Sequence, residues 1–144
     1  NKMESLHKDG KVKHLGISNV SYEQLVELIS FASVKPKFVQ NRCFARLLWD
    51  KQIRNYCQAH GIIYQGFSLL TANQYELRHP KLENLSKKHE KSIEQIIFRF
   101  SQQIGMLPLT GTTNLDHMKE DLAIHQFRLT DDEINFIENI AFIP

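Results

Sequence analysis

Apolar and polar positions alternate between two periods along the chain. Met3, Leu6 and His7 read as the last turns of a helix that stops at Asp9-Gly10, where glycine tolerates the left-handed conformation of a helix end. Val12–Ile17 (VKHLGI) then reads as a strand ending at Ser18-Asn19. Ser21 and Gln24 have capping-box spacing, and Leu25, Val26, Leu28 and Ile29 continue with helical period. Lys35-Pro36 breaks the pattern, and Phe38–Cys43 is the second strand. The next helix carries Ile53, Tyr56 and Cys57 and closes at His60-Gly61, before a third strand at Ile62–Phe67.

A long connection, Ser68–Pro80, has the length of a lid or binding loop. Leu82 and Leu85 predict a short helix. Ser92 and Gln95 cap a longer one with Ile93, Ile96, Ile97, Phe100 and Ile104 on its apolar face. Met106–Leu109 is the fourth strand, broken at Thr110-Gly111-Thr112-Thr113, with an amphipathic helix opening near Asn114. Thr130 and Glu133 cap the final helix, which bears Ile134, Phe136, Ile137 and Ile140.

Strand and helix thus alternate four times, which predicts a parallel sheet with crossover helices. Short apolar strands predict that both faces of the sheet are covered. The pattern fits half of a (β/α)8 barrel or a small open doubly wound sheet. No Gly-x-Gly-x-x-Gly follows the first strand, so the dinucleotide fold of Rossmann type is unsupported. In a barrel, functional groups gather at the C-terminal ends of the strands, and phosphate is commonly held after the last two. The turn after the fourth strand suits that task. Backbone N–H groups of a helix's first turn lack intrahelical acceptors and favour negative charge. Gly111 admits close approach of a phosphate, and the threonine hydroxyls add donors. The competing reading is an ordinary strand-to-helix turn with Thr and Asn capping.

Composition narrows the class. The 144 residues suffice for one domain, and 42% apolar with 24% charged residues is ordinary for a soluble globular chain. A formal charge of +2, with scattered basic residues, argues against nucleic acid. No apolar run approaches the roughly 18 residues of a membrane span, and the polar N-terminus does not resemble a signal peptide. Cys43 and Cys57 lack metal spacing and read as reduced thiols in a cytoplasmic protein. The seven histidines form no metal-ligand pattern, and no Ser/His/Asp arrangement has nucleophile-elbow context.

Four ordered segments together resemble the aldo-keto reductase family. Gly10–Asn19 (GKVKHLGISN) resembles the family's GKVRxIGVSNF segment, and Val39-Gln40-Asn41-Arg42 stands where the family has a strand-six glutamine. Gly61–Asn73 (GIIYQGFSLLTAN) resembles the strand-seven segment, and Pro108–Leu122 the strand-eight cofactor segment. The resemblance implies an α/β fold. The chain would be the C-terminal half of a (β/α)8 TIM barrel, with four βα units plus a C-terminal helix and the N-terminal half absent.

It also implies an NADP(H)-dependent oxidoreductase that reduces aldehydes and ketones, this chain carrying the cofactor-binding half. Ser18, Asn19 and Gln40 would bond the nicotinamide carboxamide, and Phe67 would stack on the ring. Ser68 and Leu70 would approach the pyrophosphate, with the Leu69–Pro80 loop folding over it. Thr110, Gly111, Thr112 and Thr113 would meet the adenosine phosphates, with Glu120 or Asp121 near adenine. Trp49, in a βα loop, would line a substrate pocket or pack under its loop.

Two departures qualify these roles. A common family pattern grips the 2′-phosphate with a Lys-Ser pair and a later Arg; here Leu109 and Thr110 stand at the pair and His117 near the Arg. NAD(H) therefore competes with NADP(H). The family's acid–base set of Asp, Tyr, Lys and His belongs to the N-terminal half, and Tyr22, Tyr56, Tyr64 and Tyr75 match none of its positions, so no catalytic residue is assigned. The expected partners are a carbonyl substrate once the barrel is complete, and either a missing half or further copies of the chain. The alternative is a non-catalytic half-barrel that binds nucleotide or assembles with itself or a partner.

Overall fold

A computed structural model describes residues 2–143. Four parallel strands form one sheet in the order β1 (Gly16–Ser18), β2 (Phe38–Arg42), β3 (Ile63–Phe67), β4 (Leu107–Pro108). Sequential neighbours with no reversal of order leave no switch point of the doubly wound kind. Between and around them run α1 (Lys2–Lys8), α2 (Tyr22–Phe31), α3 (Lys51–Ala59), α4 (Pro80–His89), α5 (Ile93–Gln103), α6 (Leu115–Leu122) and α7 (Asp131–Glu138). None of these helices is long and apolar enough to cross a membrane.

The helix starts follow local chemistry. Ser21, Ser92 and Thr130 each accept from the N3 backbone while Gln24, Gln95 and Glu133 reach back to the cap, so all three expected capping boxes close. Gly10, Gly61 and Gly105 supply left-handed turns after α1, α3 and α5.

Strand β1 is shorter than its apolar pattern and begins at Gly16 rather than Val12. It has a partner on one side only, β2, whose pairing starts at Phe38 opposite Gly16. Residues 12–15 precede that register, so apolar alternation there is not converted into a ladder.

Within the described residues one face of the sheet is covered and the other is open, as four strands alone would leave it. Val39, Tyr64 and Met106 are buried toward the helices, with Leu25, Ile53, Ile97 and Phe100 in the same core. The opposite face carries Phe38, Gln40, Ile63, Gln65, Phe67 and Leu107, all half-buried or exposed. Apolar residues on both sides of β3 thus reflect one packed face and one open face.

Candidate functional site at the strand ends

Register decides which predicted residues meet. Ser18 pairs with Gln40, Gln40 with Gln65 and Gln65 with Leu107, so these four share a level on the open face. Two residues further on, Arg42 pairs with Phe67. The C-terminal ends of all four strands therefore form one rim that carries Ser18, Asn19, Gln40, Phe67, Ser68 and Thr110.

At the β1–β2 end, Ser18 Oγ donates to the Gln40 carbonyl (2.8 Å), and Asn19 N–H donates to the same oxygen (3.0 Å). Asn19 Nδ2 donates to Ser18 Oγ (3.1 Å). With the Gln40 side-chain amide, the pair offers an acceptor and a donor to a primary amide. Asn19 holds φ 54° and Ser68 φ 57°, left-handed conformations outside glycine that concentrate at functional rims.

At the β3–β4 end, Ser68, Leu69, Leu70, Thr71, Phe98, Leu109, Thr110 and Gly111 line a cavity of about 220 Å³. Ser68, Leu70, Thr110 and Gly111 are thereby brought together. Thr112, Thr113, His117, Glu120 and Asp121 lie outside that lining. Thr112 Oγ1 accepts from Asn114 N–H (3.0 Å), and Asn114 Oδ1 accepts from Asp116 N–H (2.8 Å), so these groups cap α6. Thr110 Oγ1 donates to Asp121 Oδ2 (3.0 Å). His117 and Glu120 are exposed on α6. A larger cleft of about 760 Å³ opens beyond β1 and β2, and of the predicted residues it touches Asn19 alone.

Trp49 takes the second of its two expected places. It is fully buried, edge-on to Phe100 (centroids 5.3 Å), with Nε1 donating to the Ile137 carbonyl (2.9 Å). The Ser68–Pro80 connection is pinned near its start. Asn73, 1% exposed, donates from Nδ2 to the Cys43 and Leu69 carbonyls (3.0 and 2.8 Å) and accepts from Ala45 N–H (2.7 Å). A lid spanning the whole connection is not what these bonds allow; Asn73 fastens the connection to the β2–α3 loop.

Sequence reasoning passed over a buried polar group beneath the rim. Asn41 bonds both peptide groups of Val20, Asp50 accepts from Asn41 and Tyr64, and Arg54 donates to three carbonyls and to Glu138. The available signal was polar residues at positions that strand and helix periodicity assign to the core. Burial, with the Asp50 charge adding to it, pushes the Tyr64 phenol far above its usual range. The same two causes raise Cys57 to about 11. Burial first and Asp50 second raise Cys43 to about 12. The phenol and both free thiols are therefore neutral and acid–base inert near pH 7.

The chain matches one family along nearly its whole length. The aldo/keto reductase family model covers residues 1–141. An uncharacterised oxidoreductase of Bacillus subtilis, YtbE, is 34% identical over 136 residues, which are 94% of this chain and 48% of that protein. Glyoxal reductase of the same organism is 32% identical over 136 residues, 94% of this chain and 49% of that protein. The crystal structure of an aldo/keto reductase from Brucella melitensis superposes with a TM-score of 0.82 at 26% identity. The match covers 96% of this chain and 52% of that one. The chain spans about half the length of the relatives it matches, and it belongs to the aldo/keto reductase family.

Proposed function

We propose that this chain is the cofactor-binding half of a nicotinamide-dependent carbonyl reductase. It would supply strands five to eight of a (β/α)8 barrel that reduces an aldehyde or ketone to the alcohol. The observation that carries the reading is the rim itself. Carboxamide-type partners at Ser18, Asn19 and Gln40, an aromatic at Phe67 and the Ser68–Gly111 cavity follow one another along the strand ends. That sequence of contacts suits an extended dinucleotide, with the nicotinamide toward β1–β2 and the phosphates toward β4.

The hydride comes from the nicotinamide when the cofactor is bound. The residues of this chain bind and orient it; Phe67 offers a face for the ring, and the exposed Gly111 turn leaves backbone accessible to phosphate. On the family resemblance, the proton donor would come from the half of the barrel that this chain does not span. The open face, with Phe38, Ile63 and Leu107, is the surface that half would cover, removing apolar area from water. NADP(H) is the cofactor the family segment implies. Two features favour NAD(H) instead: Leu109 offers no charge to a 2′-phosphate, and the Asp121 carboxylate already accepts from Thr110.

Calorimetry with NADP⁺, NAD⁺ and adenosine 2′,5′-bisphosphate tests the reading. Gly111 has open space around it and no left-handed φ, so Gly111→Val leaves the fold intact while crowding the backbone. It should weaken all three ligands, whereas Phe67→Ala should weaken the dinucleotides alone. Unchanged affinities in a folded Gly111→Val chain reduce the β4 turn to a turn. The chain by itself should not reduce aldehydes with NADPH, and turnover abolished by a mutation within it would refute the assignment of chemistry to the other half.

A further inference from the structure

We infer that Asn41 is a positioning residue for the carboxamide end of the site. Through Val20 it fixes the left-handed turn at Asn19, and Asp50 and Tyr64 hold Asn41 in place. The inference rests on the reading of the rim as a nicotinamide site.

Position 41 belongs to the buried face of β2, where strand alternation puts Val39 as well. An amide there is costly unless every polar atom is paired. All are: Oδ1 accepts from Val20 N–H (3.0 Å), and Nδ2 donates to the Val20 carbonyl (2.9 Å) and to Asp50 Oδ2 (3.1 Å). The two bonds to Val20 clamp the peptides on both sides of that residue. Asn19 N–H is meanwhile fixed on the Gln40 carbonyl. With its own N–H and the next residue both anchored, Asn19 has little freedom to leave φ 54°, the conformation from which its amide reaches Ser18 Oγ.

Asp50 is presented by an unusual backbone. Leu48, Trp49 and Asp50 have φ of 52°, 54° and 55°, a run that leucine and tryptophan resist. Several contacts over-determine it. Trp49 is buried with its indole on Ile137, its N–H donates to the Phe44 carbonyl (3.1 Å), and Arg54 Nε donates to its carbonyl (2.7 Å). The turn leaves α3 without a side-chain cap from its own Asp50. That carboxylate instead faces β2 and β3, where Oδ2 accepts from Asn41 and from the Tyr64 hydroxyl (2.7 Å). A residue suited to helix capping has been turned to hold Asn41.

The test compares a dinucleotide with the same molecule lacking its nicotinamide. Calorimetry uses NAD⁺ and ADP-ribose, or their 2′-phosphorylated forms, whichever pair the wild-type chain binds more tightly. The 3-acetylpyridine analogue, in which a methyl replaces the amide nitrogen, is the third ligand. Asn41→Leu should weaken the dinucleotide roughly five- to tenfold, leave the ADP-ribose form unchanged and erase the preference for the carboxamide over the acetyl analogue. Tyr64→Phe, which removes one hydroxyl, should shift the same preference in the same direction by less, and it carries the test if Asn41→Leu does not fold. An unchanged carboxamide preference in the folded variants overturns the inference. So does an equal loss for dinucleotide and ADP-ribose forms, which marks a purely structural role. A wild-type chain that binds none of the ligands overturns the cofactor reading itself.

Discussion

The two ends of the candidate rim are built differently. Beneath β1, β2 and β3, buried side chains hold the turns: Asn41 the turn after β1, Arg54 and Trp49 the loop after β2, and Asn73 the connection after β3. At β4 the strand is two residues long, and the turn is held by surface bonds among Thr110, Thr112, Asn114, Asp116 and Asp121. Helix α6 buries none of its residues and exposes Leu115, Met118 and Leu122. An amide ligand needs fixed directions, which buried partners supply before the ligand arrives. Phosphate is satisfied by many donor arrangements, so a turn with few tertiary ties serves it. Under the proposed function, the contrast would give orientation to one end and accommodation to the other.

Truncation should expose the contrast most strongly. Trp49→Ala removes a fully buried indole and the bond that joins the β2 loop to α7, and should cost about 3–5 kcal/mol in urea unfolding. Leu115→Ala on α6 should stay within about 0.5 kcal/mol. Comparable losses at the two positions would abolish the distinction.

Acid should act on the firm end next. Helix α7, whose Ile137 carbonyl receives Trp49, is tied at its start to α4 through Glu133, which meets Lys88 Nζ (2.8 Å) and His89 Nε2 (3.0 Å). Burial of the Glu133 carboxyl opposes its charge, but Lys88, the Thr130 backbone and His89 outweigh it and hold the pKa at about 2. A folded-state value below the unfolded one, about 4.3, contributes stability that is complete above the unfolded value and lost as pH falls toward 2. The contribution is of order 2–3 kcal/mol. Glu133→Gln should be less stable than wild type at pH 7, and the gap should close as unfolding is repeated down to pH 2.5. A gap that is constant with pH would assign the loss to packing.

Gly66 lies where the two ends meet, paired with Asn41 on β2 and Pro108 on β4. A Cβ there would run into the buried Met106 side chain just before β4. Gly66→Ala should cost about 1–3 kcal/mol, and Met106→Ala in the same chain should recover part of it. Purely additive losses would show that β4 shifts freely to make room.

What was legible in the sequence follows the same division. The three capping boxes, the glycine stops and the alternation of strand and helix are local chemistry or periodicity, and they read directly; the order of the strands in the sheet did not. The residues of the rim were found through whole segments, GISN, VQNR, YQGF and LTGTT, each of which ends or follows a strand. What did not read was anything set by distant contact. The left-handed run at Leu48-Trp49-Asp50 has no glycine to announce it and exists because Phe44, Arg54 and Ile137 hold it. Asn41 and Asn73 resemble loop residues by type, and only the packed structure shows them as buried ties. Apolar residues on both sides of a strand do not by themselves say what covers each side, and the described residues cover one.

The smallest effect is the most specific to the loose end. Asn114 caps α6 by accepting from Asp116 N–H, and Asn114→Ala removes that acceptor, worth about 0.5–1 kcal/mol for a helix start. Because α6 buries no residue, its opening should be a local event rather than part of global unfolding. The lost cap should therefore appear as roughly two- to fivefold faster hydrogen exchange along α6, with little change in Tm. Amides of α5, which buries Ile96, Ile97, Phe98 and Phe100, should exchange as before. The tie from Gln95 Nε2 to the Glu120 carbonyl (3.2 Å) provides the control. If that bond couples the helices firmly, Asn114→Ala will speed exchange in α5 as well and lower Tm. The β4 end would then belong to the same cooperative unit as the β1–β3 end, and the division between a fixed and an accommodating rim would fall.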